Sequence, residues 1–120
     1  MKALIIDDEV DLCLLIKSYL QRKGYEVTLA HSLEEGLEKA GEVQPNVLFL
    51  DNNLPDGLGW AEAPRLATLF PAMHQYLISA YHPQVPLMPQ GARFSVLEKP
   101  ISFADLDVEL EVPGIKAEKQ

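Results

Sequence analysis

A single cysteine, Cys13, stands in the whole sequence, so no internal disulfide framework can form. There is no basic-then-apolar leader and no apolar run of about eighteen residues, which speaks against an export signal or a membrane-spanning helix. Cations are scarce. Ten Lys plus Arg face eighteen Asp plus Glu, a net charge of -8, and a field of that sign opposes phosphate backbones and anionic lipid headgroups. Direct nucleic-acid binding and membrane binding are therefore not expected. Glycine-rich phosphate loops are missing too, since neither G-x-G-x-x-G nor the P-loop pattern occurs. His31, His74 and His82 lack metal-ligand spacing and read as surface or loop residues. What is present is a chain of 120 residues, 48% hydrophobic, enough to bury one core without cross-links. It reads as one soluble, cytoplasmic domain.

The chain alternates strand and helix patterns. Leu4, Ile5 and Ile6 run unbroken into Asp7-Asp8, and Val47 to Leu50 run into Asp51. Such uninterrupted strands suit a parallel sheet covered on both faces. Leu12, Leu15, Ile16 and Tyr19 mark one face of a helix that Gly24 ends. Tyr25 to Ala30 reads as the second strand, and Ser32 with Glu35 has capping-box spacing for a helix to about Gly41. A third helix lies within Leu58 to Phe70, and Pro64 requires it to start late or kink. His74 to Ser79 and Phe94 to Leu97 are strands four and five, and Ser102 with Asp105 caps a last helix stopped by Pro113-Gly114. Pro83, Pro86 and Pro89 recur at three-residue spacing between the last two strands. Each interior proline costs a helix about 3 kcal/mol, so the crossover helix there is expected to be absent, short or distorted. The expected fold is α/β, a doubly wound five-stranded parallel sheet.

In such sheets ligands bind at the C-terminal strand ends. Those positions hold Asp7 and Asp8, Asp51, Ser79, and Lys99-Pro100. Three carboxylates converging on one edge repel unless a cation intervenes, and a hard ion such as Mg²⁺ fits oxygen donors. Lys99 adds a fixed positive charge. The set suits phosphoryl transfer onto a carboxylate, with Asp51 the best nucleophile, Asp7 and Asp8 left for metal, and the Ser79 hydroxyl placed to bond a phosphoryl oxygen.

Ile5-Ile6-Asp7-Asp8-Glu9, Leu50-Asp51-Asn52-Asn53-Leu54-Pro55-Asp56-Gly57, Leu77-Ile78-Ser79-Ala80 and Leu97-Glu98-Lys99-Pro100 together resemble the four signature segments of response-regulator receiver domains. The resemblance implies a flavodoxin-like, CheY-like (βα)5 fold with a degenerate fourth helix. It also implies phosphoryl transfer to Asp51 from a histidine kinase or phosphotransfer protein, as part of a two-component phosphorelay. By the same resemblance Asp8 binds Mg²⁺ directly, Asp7 largely through water, and Asp51 and the Asn53 carbonyl complete the protein ligands. Ser79 and Lys99 contact the phosphoryl group, and Ala80 is the small residue that leaves the site accessible. A receiver of this kind is not a turnover enzyme; it catalyses only its own phosphorylation and dephosphorylation.

Two departures stand out. Val96 occupies the place where the family usually has a switch aromatic. Phe94, on the same strand face by alternation, is the candidate substitute. The proline-rich segment replaces part of the usual output surface. The alternative is therefore a signalling-degenerate receiver acting as a protein-interaction adaptor. A small phosphatase is a poorer reading, because Asp51-Asn52-Asn53 lacks the second aspartate of haloacid-dehalogenase-like enzymes. Blander roles are expected for Cys13, a small, partly buried helix residue without redox function, and for Trp60, a packing residue. Residues 1–112 are read as the receiver and 113–120 as a polar tail, disordered from Lys116. The chain is either a single-domain regulator or a receiver cut from a longer one. Kinase, output partner and oligomeric state are left open by the sequence.

Overall fold

Five parallel strands build the main sheet of the computed structural model, which describes residues 1–81 and 83–111. They are β1 (Lys2–Ile6), β2 (Glu26–Ala30), β3 (Val47–Asp51), β6 (His74–Ser79) and β7 (Arg93–Glu98), in the spatial order β2-β1-β3-β6-β7. The two-residue strands β4 (Asn53–Leu54) and β5 (Gly57–Leu58) pair antiparallel just after β3. The helices are α1 (Val10–Arg22), α2 (Leu33–Val43), α3 (Ala63–Leu69) and α4 (Phe103–Glu111). The expected 113–120 tail, the stop at Pro113-Gly114 and the surroundings of His82 lie outside the described residues.

The unbroken apolar strands have the cause the sequence suggests. Ala3, Ile5, Val47, Phe49, Tyr76 and Ile78 face Ile16 and Leu20 of α1 and Leu106 and Leu110 of α4. Leu4, Ile6, Leu48, Leu50 and Leu77 face Ala40 of α2 and Ala63 and Leu66 of α3. Both faces are thus covered, and each fully buried Leu or Ile contributes about 1.5–3 kcal/mol. In α1 the buried set is Cys13, Ile16, Tyr19 and Leu20, with Leu12 and Leu15 flanking it. Cys13 is wholly rather than partly buried, because it opens the stripe that packs against the sheet.

Helix ends follow local chemistry. Ser32 Oγ accepts from the Glu35 amide at 3.2 Å, and Ser102 Oγ from the Asp105 amide at 3.2 Å. The Asp105 carboxylate in turn accepts from the Ser102 amide at 2.8 Å, a full reciprocal cap. Pro64 stands in the first turn of α3 after a 3-10 turn over Gly59–Glu62, so the helix starts late rather than kinking. Gly36 lets α2 approach β1: a Cβ there would meet Ile6 Cδ1 at 2.4 Å and Ile6 Cγ2 at 2.8 Å. Gly36→Ala is expected to destabilise by about 1–2 kcal/mol in urea unfolding, overpacking outweighing the better helix propensity. Gly41→Ala, with nothing within 4 Å, should instead gain about 0.5–1 kcal/mol.

No helix forms over residues 83–89. Val85 and Met88 pack against the α2/α3 side of the core, while Leu87 is 94% exposed. The register sets Gln75 beside Phe94 and Leu77 beside Val96, so Phe94 and Val96 lie on the sheet face that a crossover helix would cover. They stay 37% and 47% exposed. His74 departs from its expected surface placement. It stacks on Tyr76 with ring centroids 4.4 Å apart, lies 3.1 Å from Ser95 Oγ, and burial, then the Arg93 charge, hold its pKa below the usual value.

Candidate functional site

Strand register brings the chemistry together. Ile6 pairs with Leu50, Asp51 with Ile78 and Ser79 with Glu98, so Asp7, Asp51, Ser79 and Lys99 all leave the sheet at one edge. Asp7 and Asp51 are buried and Asp8 is exposed, yet carboxylate oxygens of all three lie within 4.8 Å of one another. Lys99 Nζ sits 3.2 Å from Asp7 Oδ2 and 3.4 Å from Asp51 Oδ1 and makes a close ion pair with Glu9. Burial works against the Lys99 ammonium, but the Glu9 bond and the Asp7 and Asp51 charges outweigh it and raise its pKa.

The acids are held in an unfavourable state. Burial, then the charge of Asp7, pushes the Asp51 carboxyl up to about 6 against the pull of Lys99. Burial likewise raises Asp7, opposed by the Glu9 amide and by Lys99. Asp7 Oδ1 accepts from the Glu9 amide at 2.8 Å, whereas buried Asp7 Oδ2 has only the ion-pair contact, without hydrogen-bond geometry. One orphaned carboxylate oxygen in a cluster of hard donors fits a small divalent cation, which would relieve the repulsion and satisfy that oxygen.

The loop after β3 is tightly pinned. The Trp60 amide donates to Asn52 Oδ1 at 3.1 Å, and its indole Nε1 donates to the Leu50 carbonyl at 3.1 Å, so Trp60 binds the loop as well as packing. Asn53 is exposed after Asp51. Ser79, buried, accepts at Oγ from the Tyr81 amide at 3.1 Å, and Ala80 is exposed beside it. The Lys99–Pro100 peptide is cis.

A family model described as the response regulator receiver domain matches residues 3–111. The chain belongs to the receiver-domain family. Receiver domains are signalling domains rather than conventional enzymes, bind Mg²⁺ through acidic residues, and work with histidine kinases or phosphotransfer proteins and output domains. Among curated relatives, the transcriptional regulatory protein ZraR of Escherichia coli K12 is 29% identical over 111 residues, covering 90% of this chain and 25% of ZraR. The transcriptional activator PfeR of Pseudomonas aeruginosa is 30% identical over 112 residues, covering 92% of this chain and 36% of PfeR. This chain thus spans about a quarter to a third of the length of these relatives. A CheY-like receiver domain protein from Methanospirillum hungatei superimposes with a TM-score of 0.83 at 26% identity, covering 98% of this chain and 96% of that one. No described helix is long and apolar enough to cross a membrane.

Several receiver residues escaped the reading of strand ends. Glu9 competes for Lys99; its place beside Asp7-Asp8 was the available signal. Asp56 accepts from the Leu33 and Glu34 amides at 2.7 and 2.8 Å, clamping the loop after β3 to the N-terminus of α2, and nothing in the sequence pairs those segments. His31 stands in a loop, as the sequence suggests, and is half-buried at this site. It follows β2 at the same edge, and its Nδ1 lies 2.9 Å from the Asp7 carbonyl, so the strand-end rule applied to β2 would have found it.

Proposed function

We propose that this receiver takes a phosphoryl group onto Asp51 from the phosphohistidine of a kinase or phosphotransfer protein. A carboxylate oxygen of Asp51 attacks phosphorus, the P–N bond breaks, and its electron pair stays on the donor imidazole, which takes a proton from solvent. The observation that carries this reading is the buried Asp51 set beside a lysine and inside a three-carboxylate cluster. Asp7, Asp8, Asp51 and the Asn53 carbonyl would hold Mg²⁺, which when bound neutralises charge on the phosphoryl oxygens. Lys99 Nζ, already shared between Asp7 and Asp51, moves onto the acyl phosphate as it forms. Ser79 Oγ turns from the Tyr81 amide to a phosphoryl oxygen, and exposed Ala80 leaves the approach open. The same groups support slow self-dephosphorylation.

Because Lys99 directly follows β7, its movement reaches the uncovered Phe94 and Val96 face, which serves as the switchable contact surface. Incubation with phosphoramidate and Mg²⁺ should add one phosphoryl group per chain by intact mass, and chelation should prevent it. Absence of uptake at saturating Mg²⁺ would overturn the proposal. Lys99→Ala should still bind Mg²⁺ but lose at least about tenfold in uptake rate, as expected on removing one charge-stabilising donor, measured by the same mass assay over time.

A further inference from the structure

We propose that His31 is a positioning residue for the acidic pair: its Nδ1–H donates to the main-chain carbonyl of Asp7 and so fixes the Asp7–Asp8 peptide that presents both carboxylates to a cation. This rests on the phosphoacceptor reading and deepens it. The Asp7 carbonyl belongs to the peptide that leads into Asp8, the exposed member of the cluster. Two side-chain donors converge on it, His31 Nδ1 at 2.9 Å and Cys13 Sγ at 3.2 Å, with Nδ1 and Sγ 3.9 Å apart. A carbonyl oxygen offers two lone pairs, and these two donors fill them.

His31 is itself held from behind. Its amide donates to Glu35 Oε1 at 3.0 Å, and Glu35 stands in the first turn of α2, the turn that Asp56 clamps from the phosphoacceptor-side loop. On the other side the Asp7 amide donates to the Ala30 carbonyl at 3.0 Å, just before His31. Hydrogen bonds therefore run from Asp56 through α2 and His31 to the Asp7–Asp8 peptide. They tie the loop that carries Asn53 to the turn that carries Asp8. Turning that peptide away would strand both donors, which is how an outer group tunes a metal site without touching the ion. Cys13 has the second donor's role alone, since burial, then the Asp7 charge, pushes its thiol up to about 12.

The test is calorimetric titration of the full chain with Mg²⁺ at about pH 8, alongside thermal unfolding of each variant. His31→Phe removes the donor and should weaken Mg²⁺ binding about three- to tenfold, whereas His31→Asn, whose amide Nδ2 can replace Nδ1, should stay within about twofold of native. A merely structural role would lower the unfolding temperature of His31→Phe without changing the Mg²⁺ affinity of the folded protein. Native-like Mg²⁺ affinity in His31→Phe, or equal loss in His31→Phe and His31→Asn, would overturn the assignment. If His31→Phe does not fold, His31→Leu takes its place beside His31→Asn. Loss in the leucine variant alone supports the assignment, and equal affinities overturn it. A native chain that binds no Mg²⁺ would overturn the phosphoacceptor reading and this role with it, whereas native binding matched by His31→Phe would overturn this role alone.

Discussion

Asp51→Asn is expected to stabilise the metal-free protein by about 2–3 kcal/mol at neutral pH while abolishing phosphoryl uptake. The Asp51 carboxyl titrates near 3.8 in an unfolded chain and at about 6 in the folded one, chiefly because burial and the charge of Asp7 disfavour its anion. A folded-state value above the unfolded one means the native state holds the proton more tightly. Stability from that proton is fully present below about pH 4 and is lost as pH rises through about 6. Above that the native chain carries an anion that Lys99 compensates only in part, and asparagine does not. Urea unfolding at about pH 5 and about pH 7.5, with chelator present, should therefore show the variant's advantage growing with pH. Mg²⁺ should narrow that advantage by stabilising the native chain, which keeps one carboxylate more around the ion, further than the variant. A variant less stable than native at the higher pH would mean that Lys99 already compensates Asp51 fully.

The second large effect is expected at Gly59. A Cβ at this position would lie 2.1 Å from the Asp51 carbonyl oxygen and 3.0 Å from Leu50 Cδ1, and the Gly59 amide donates to the Asn52 carbonyl at 2.8 Å. Main-chain atoms cannot yield as a side-chain tip can. Gly59→Ala must displace the end of β3, at a cost of about 3 kcal/mol, the upper end of overpacking effects. Phosphoryl uptake should fall steeply even in conditions where the variant remains folded, because Asp51 and the Asn53 carbonyl move together. Native-like uptake and stability in Gly59→Ala would show that the loop does not need this close approach. Chemical denaturation and the phosphoramidate mass assay measure the two effects separately.

Sequence and structure agree most closely where one physical rule acts alone. Continuous apolar runs suited a sheet covered on both faces, and β1 and β3 are buried that way; Pro64 left a late start or a kink, and α3 takes the late start. The Pro83, Pro86 and Pro89 spacing pointed to a crossover helix that is absent, short or distorted, through lost donors and ring clashes, and none forms over 83–89. The gathering of Asp7, Asp8, Asp51 and Lys99 was legible because each follows a strand, and parallel strands deliver their ends to one edge. What local rules could not give were contacts between segments distant in the chain. Asp56 meeting the amides of Leu33 and Glu34 depends on how a loop folds across a helix end. Gly59 falls inside the Leu58 to Phe70 stretch read for the third helix, and it becomes a steric necessity only once the Asp51 carbonyl is in place. Glu35 fits a capping box, yet its carboxylate accepts from the His31 amide rather than from Ser32, a choice fixed by the exit of β2.

In the proposed switch the phosphoryl signal arrives at Asp51, and Ser79, Lys99 and β7 respond to it. The most direct test is the amide spectrum of the chain on adding beryllofluoride with Mg²⁺. The account predicts shifts at Asp51, Ser79, Ala80 and Lys99 that extend to Phe94 and Val96, and no such shifts in Asp51→Asn. A native spectrum left unchanged at saturating Mg²⁺, or the same shifts in Asp51→Asn, would contradict it.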